Sequence, residues 1–215
     1  MTELLPLNPD ELLTTTRSVR KRLDVTRPVP LDVVRDALDV ALQAPTGGNG
    51  QNWHWLIVTD PELRQTIGSY YQLAYEAWQA SPGYPGKHLG VGPESAERER
   101  VFSSAERLAD IITAVPVLVI GAIEAGNHLP PVNQSGLWGS LLPAAWSLQL
   151  ALRARGLGSA WTTLHLNFEQ EIAELLGMPS YVRQGVLLPV AYTKGTNFKR
   201  GPRLPVETVM HVNGW

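Results

Sequence analysis

From Ala125 to Leu152 the chain carries no Asp, Glu, Lys or Arg. No other stretch restricts the possible folds as strongly, because a segment this free of charge needs something apolar to cover it. Its most apolar part, Gly136 to Leu152, falls short of the roughly 20 residues that a bilayer span requires. It is also interrupted by Ser140, Pro143, Ser147 and Gln149. The remaining solution is a helix buried on most sides, within a globular core or at a subunit interface. Pro143 marks its start or a kink.

The rest of the chain supplies material for that core. Of 215 residues, 44% are hydrophobic and 18% charged. That suits one domain and is too apolar for disorder. A formal net charge of -2 argues against a general electrostatic binder of nucleic acid. The absence of cysteine excludes a disulfide scaffold, a thiolate nucleophile, a Cys-ligated zinc and an iron–sulfur cluster. Any redox chemistry is left to a cofactor. The N-terminal MTELLPLNPDELL has neither the basic nor the apolar region of a secretory signal. The expected location is cytoplasmic, without membrane contact.

Local patterns predict the other elements. Asn8-Pro9-Asp10-Glu11 reads as a helix start, with a capping side chain and a first-turn proline. Val33, Val34, Ala37, Leu38, Ala41 and Leu42 form one stripe of a helix over Leu31–Gln43, which Pro45 ends. A strand is predicted at Trp53–Thr59, a helix at Pro61–Ala80 and a surface loop at Ser81–Pro93. An amphipathic helix follows at Glu94–Thr113, with Val101, Ala105, Leu108 and Ile112 on one face, then a central strand at Val115–Ile123. Beyond the uncharged helix come a short strand near Ser159–Thr163, a capped helix over Asn167–Leu176 and a strand at Val186–Tyr192. From Thr193 to Trp215 an extended basic arm is expected. Helices and strands mix without regular alternation, which predicts a single α+β domain over residues 1–215. Four or five short strands leave much helix surface uncovered, and a second subunit is the simplest cover.

Several catalytic signatures are missing. There is no G-x-S-x-G and no P-loop. The five histidines (54, 88, 128, 165 and 211) show no metal spacing and read as surface or locally hydrogen-bonded residues. Pro45-Thr46-Gly47-Gly48-Asn49-Gly50-Gln51-Asn52-Trp53 runs from helix into strand, the reverse of a dinucleotide-binding turn, and Gly156-Leu157-Gly158 has the same order. Both expose backbone groups that suit the edge of a planar heterocycle, or they are ordinary Gly-rich turns. Arg17, Arg20, Lys21 and Arg22 cluster near one end of the chain, and Lys194, Lys199, Arg200 and Arg203 near the other. Brought together, with Ser18 as a further donor, they make a phosphate pocket; kept apart, they are two solvated basic faces.

In this combination and order the sequence resembles the nitroreductase family of flavoproteins. Thr16-Arg17-Ser18-Val19-Arg20-Lys21-Arg22 is similar to its basic R-S-x-R segment, and Arg27-Pro28-Val29-Pro30 to the next step. Ala44 to Trp53, with Leu56-Ile57-Val58-Thr59-Asp60, is similar to its A-P-S-x-x-N-x-Q-x-W loop and strand. Gly156-Leu157-Gly158-Ser159-Ala160-Trp161 is similar to its G-L-G-x-x-W turn, and Pro189-Val190-Ala191-Tyr192 with Arg203-Leu204-Pro205 to its closing strand and tail. Residues from about 65 to 114 carry no matching motif.

The resemblance implies an α+β fold, with a mostly antiparallel central sheet flanked by helices, in an intertwined homodimer with FMN at the interface. Arg17, Ser18, Arg20 and Arg203 would hold the FMN phosphate, the ribityl chain or the nearby pyrimidine edge. Arg20 would also favour negative charge at N1 and O2 of the reduced flavin. Pro45, Thr46, Gly47 and Asn49 would line the isoalloxazine edge from the partner subunit. Trp161, Thr162, Thr163 and Leu164 would pass by N5, with a backbone N–H of Thr163 or Leu164 donating to it. NAD(P)H would be the reductant, and a nitroaromatic, a quinone or a similar electron-poor small molecule the acceptor, in ping-pong hydride transfer. The family also includes desaturases, dehalogenases and flavin-sequestering members, and a non-enzymatic phosphate-binding dimer is a further alternative. Thr16 stands where many members carry another Arg, for which Lys21 or Arg22 would substitute. Gly201 stands near a common Lys, whose space Lys199 or Arg200 would reach. Tyr70, Tyr71, Tyr75, Trp78 and Trp138 are candidates for the substrate cavity, though aromatic residues at helical spacing usually pack in a core.

Overall fold

The computed structural model describes residues 3–88, 93–126 and 128–215. Four strands, β1 (Trp53–Val58), β2 (Val117–Glu124), β3 (Leu157–Ser159) and β4 (Val182–Tyr192), form one sheet in the order β1-β2-β4-β3. Every neighbouring pair is antiparallel. The continuous apolar run of β2 is explained by its place: all but its last residue is buried. Alternate side chains face opposite layers. Leu118 and Ile120 join one core cluster, while Val117 and Val119 join the other.

The first layer contains α3 (Pro61–Ala80) and α4 (Pro93–Ile111), with Ile67, Tyr71, Tyr75 and Leu108 buried against the sheet. The second contains α2 (Leu31–Ala41) and α5 (Ser135–Ala154), with Val34, Ala37, Leu148 and Leu152 buried. A short α1 (Pro9–Thr15) starts with a reciprocal capping box between Asn8 and Glu11, as the sequence predicts. The predicted bounds of α3 also hold, because Asp60 accepts from the amides of Glu62 and Leu63 just before Pro61.

Of the two places the sequence allows for Pro143, it takes the one inside the helix. Other expectations need correction. Val101 is exposed and does not share the buried face of Leu108 and Ile112. The third strand is shorter and earlier than expected; Thr162 makes only an isolated bridge to Leu187 of β4. The helix expected from Asn167 is a 3-10 turn, Leu164–Phe168, followed by α6 (Glu169–Leu175) without a side-chain cap. The predicted loop over Ser81–Pro93 contains a 3-10 turn at Pro85–His88, and residues 89–92 lie outside the described set.

Uncharged until Arg153 in its last turn, α5 buries Leu141, Ala144, Ala145, Leu148 and Leu152 but leaves Gly136, Gly139, Pro143 and Trp146 exposed along another face. Among the described residues no helix is long and apolar enough to cross a membrane.

The histidines separate into distinct environments. His54 pairs with Glu124 at 3.0 Å on the surface, and His211 stacks on Trp215. The His88 side chain lies outside the described set. His165 corrects the expectation for all five, since it is fully buried and neither ring nitrogen has a hydrogen-bond partner. Burial lowers its pKa to about 4, with the nearby Glu169 charge pulling the other way. The unfolded chain therefore binds a proton in the window from about 6.5 down to 4 that the folded chain does not. Stability from this source is present above pH 6.5 and falls as the solution is acidified through that window. Moving from pH 7 to 5 removes about 2 kcal/mol. In urea unfolding, His165→Leu is expected to lose about 2 kcal/mol less than wild type over that interval. Equal losses in the two proteins would show that His165 is not the source.

Candidate functional site

The two basic clusters meet. Arg17, Ser18, Arg20, Lys21 and Arg22 line a cleft of about 590 Å³ together with Asn197, Phe198 and Lys199 from the tail and Arg100 and Ser104 from α4. The described lining residues include six cations and no carboxylate. Uncompensated like charges at this density repel, so the cleft is built for an anion.

Neutral contacts bring the segments together. Val19 is 5% exposed and donates its amide to the Ser159 carbonyl of β3 at 2.8 Å. Gly158 permits that approach: a Cβ there would sit 2.9 Å from Val19 Cβ and 2.7 Å from Thr193 Cγ2. The tail is clasped by arginine. Arg22 donates to the carbonyls of Lys194 and Asn197, and its guanidinium lies 4.0 Å from the Phe198 ring centre. Arg153, almost fully buried, donates to the Thr196 carbonyl at 2.8 Å and lies 4.8 Å from the same ring. Burial, and then the Arg22 charge, lower the Arg153 pKa. Arg17 donates to the Lys199 carbonyl at 3.2 Å. Arg203 is not part of the cleft lining but stays beside it: a Cβ on Gly201 would lie 2.9 Å from Arg203 Nη1 and 3.4 Å from Arg17 Nη2.

The turn after β3 does not line the cleft, but Arg20 is linked to it through Tyr71. Arg20 is half-buried next to Tyr71, whose phenol neighbours Thr162. Burial lowers the Arg20 pKa, with Tyr71 partly opposing it. Burial raises that of Tyr71, against the pull of the Thr162 hydroxyl and the Arg20 charge. Tyr71 is thus a neutral hydroxyl beside a cation. Thr162 is buried, Trp161 and Leu164 half-buried and Thr163 exposed. The amides of Thr163 and Leu164 precede the first bond of the 3-10 turn, which runs from the Leu166 amide to the Thr163 carbonyl, so the turn itself does not satisfy them.

Pro45, Thr46, Gly47 and Asn49 lie elsewhere. Their loop leads into β1, at the opposite sheet edge from β3. It is held by the Gly47 amide, which donates to Ser140 Oγ of α5 at 3.0 Å, and by the Gln51 amide, which donates to Thr46 Oγ1. Gly48, Asn49 and Gln51 all have positive φ, so the loop is a specific shape. Within one chain it does not join the basic cleft.

The offered substitutes resolve unevenly. Thr16 is buried, with its hydroxyl on the Leu12 carbonyl. Arg22 is occupied with the tail, and Lys21 donates to Ser103 Oγ at 2.8 Å. Lys199 lines the cleft and Arg200 does not. Of the aromatic candidates, Tyr71 and Tyr75 are buried in the core, Tyr70 stacks on Phe168, and Trp78 packs against Tyr84. Trp138 lines a separate hollow with Glu169 and Arg183. Arg100, Ser104, Tyr71 as the neighbour of Arg20, and Phe198 are additions that the sequence motifs do not mark. Only Phe198 carried a signal, as the single Phe in a basic tail. No group of three or more potential metal ligands occurs among the described residues.

An antiparallel α+β sheet with a basic cleft along its short edge strand defines a class of fold, and comparison with known proteins agrees. Residues 13–192 match the nitroreductase family, and the chain belongs to that family. It is 27% identical over 200 residues to iodotyrosine deiodinase of Drosophila melanogaster, covering 87% of this chain. The chain spans 65% of that protein's length. It is 26% identical over 196 residues to 4-nitrobenzoate reductase of Nocardioides sp. (strain LMS-CY), covering 80% of this chain and 75% of that protein. The structure of oxidized iodotyrosine deiodinase bound to FMN and 3-iodo-L-tyrosine aligns with a TM-score of 0.67 at 24% identity, covering 93% of this chain and 96% of that one. The FMN and NADPH-dependent nitroreductase NfnB from Sphigopyxis sp. strain HMH aligns at 0.69 and 19%, covering 97% and 100%.

The clasp on Phe198 yields a prediction. Each cation–π contact is worth about 0.5–1 kcal/mol at an exposed site. Phe198→Ala is therefore expected to speed amide exchange across residues 194–203 by roughly tenfold, while exchange in β2 stays unchanged. Unchanged exchange in the tail would mean that Arg22 and Arg153 hold it without the ring.

Proposed function

We propose that this protein is an FMN-dependent oxidoreductase that takes reducing equivalents from NAD(P)H and delivers them to an electron-poor small molecule, a nitroaromatic or a quinone. The observation that carries the reading is the meeting of residues 17–22 with residues 197–199 in a cleft rich in cations, with Arg20 beside Tyr71 and Tyr71 beside Thr162. The donor set fits the cofactor. A dianionic phosphate takes several charge-assisted hydrogen bonds, which Arg17, Ser18, Arg20 and Arg203 can supply. The amides of Thr163 or Leu164 suit a ring nitrogen.

When bound, FMN supplies the two-electron redox chemistry that a chain without cysteine or metal-binding motif needs from outside. The protein's part is placement and electrostatics. Arg20 brings positive charge to the flavin's pyrimidine edge, where reduction accumulates negative charge. Tyr71, kept neutral by burial, lies beside that guanidinium without cancelling its charge. No side chain is assigned as general acid, and solvent supplies the protons.

The functional unit in this reading is a homodimer. The exposed, charge-free face of α5 and the exposed apolar residues of the arm (Leu204, Val206, Val209, Met210, Val212 and Trp215) support it. So does the position of Pro45, Thr46, Gly47 and Asn49, away from the cleft of their own chain, where they can serve the partner's flavin.

A second reading is reductive dehalogenation, favoured by the likeness to iodotyrosine deiodinases. One experiment addresses both. The protein is purified, titrated with FMN, and reduced anaerobically with NADH or NADPH. It is then reoxidised in a stopped-flow instrument by a nitroaromatic, a quinone or an iodinated phenol. A bound-flavin spectrum, reduction by NAD(P)H and fast reoxidation by the nitroaromatic or quinone are expected. Reoxidation by the iodinated phenol alone would favour dehalogenation, and no flavin binding would overturn both readings.

Arg17→Ala with Arg203→Ala is expected to weaken FMN by at least about a hundredfold, at about 1.5–3 kcal/mol per charged hydrogen bond. Sedimentation of the FMN-loaded protein should give a dimer. A monomer that keeps FMN would remove the shared-site reading.

A further inference from the structure

Helix α4 carries a cation to the cleft from the part of the chain that the motifs do not reach. Arg100 and Ser104 both line the cleft, and their i, i+4 spacing places them on one helix face. Between them, Ser103 accepts from Lys21 Nζ at 2.8 Å and donates to the Arg100 carbonyl at 3.3 Å. This face of α4 is therefore fastened to the basic N-terminal segment. The Arg100 guanidinium itself forms no hydrogen bond or ion pair with another described residue.

The neighbouring cations are committed elsewhere, at least in part. Arg22 braces the tail, Lys21 is tied to Ser103, Arg17 holds the Lys199 carbonyl, and Arg203 Nη1 donates to the Pro202 carbonyl. Thr16 is turned away onto its own helix. Arg100 thus stands with free donors among like charges. Such a placement is unfavourable unless an anion lies between them.

We infer that Arg100 is a phosphate ligand. It completes the cofactor phosphate site from a third chain segment, so that binding of the phosphorylated flavin fixes α4 over residues 17–22. This rests on the flavin reading above and deepens it. The charge is supplied by a helix rather than by the missing basic residue at position 16.

Riboflavin shares the ring system of FMN and lacks the phosphate, which makes the test selective. Wild-type apoprotein and Arg100→Gln are titrated with FMN and with riboflavin by flavin fluorescence. Because Arg100 is exposed, the variant is expected to fold, and circular dichroism checks that it does. The expected result is FMN weakened on the order of tenfold in the variant, as for one charge-assisted hydrogen bond, with riboflavin unchanged. Amide exchange over residues 97–111 should slow on FMN binding in wild type, but not in the variant or with riboflavin. Equal FMN affinities in the two proteins would overturn the inference, as would equal weakening of FMN and riboflavin. Unchanged FMN affinity with a lost preference for NADPH over NADH would also overturn it, moving Arg100 to the dinucleotide. Failure of wild type to bind FMN would instead sink the flavin reading beneath it.

Discussion

Val19 is buried where Gly158 leaves room for it, with its amide on the Ser159 carbonyl. The basic cleft depends on that contact. Arg17, Ser18 and Arg20 flank Val19 along the chain, so anchoring one apolar residue on β3 sets the position of the donors around it. Electrostatics cannot do this work, because six cations in one cleft push apart. The attraction that assembles them comes from apolar burial, backbone hydrogen bonds and the Phe198 ring, which both Arg22 and Arg153 approach. The arrangement is a set of like charges held together by neutral contacts.

Much of the scaffold was legible in the sequence, and the reasons are local. Asn8 and Glu11, or Asp60 and Pro61, mark helix starts by their own capping chemistry. The run in β2 reads as a central strand because both of its faces are covered. Misreadings arose where tertiary packing decided. β3 is three residues long and is defined by its partner in β4. The 3-10 turn before α6 has no side-chain cap to announce it. Pro143 stays within α5, a position that hydrophobic pattern alone could not fix.

The site was legible to the extent that its residues are clustered in the chain. Two basic segments at opposite ends left open a shared pocket or two solvated faces, the family resemblance implied the pocket, and Arg17, Ser18 and Arg20 share one cleft with Lys199. Arg100 was hidden because it lies in Glu-Arg-Glu-Arg, a pattern that reads as the solvated side of a helix. Substrate choice is hidden for a similar reason. A family that includes relatives named as a nitrobenzoate reductase and as deiodinases shares the means of holding a flavin. What differs has to come from side chains over it, and residues 65–114 of this chain follow no shared motif.

The arm ends with Val209, Met210, Val212 and Trp215 more than half exposed in a single chain. If a second copy covers this strip, persistence in the cell becomes a matter of dosage. Whatever covers it does so by mass action, so the covered fraction rises with the concentration of the covering partner. Newly made copies at low abundance would meet chaperones and proteases with the strip still open. Expression level would then set lifetime as well as amount.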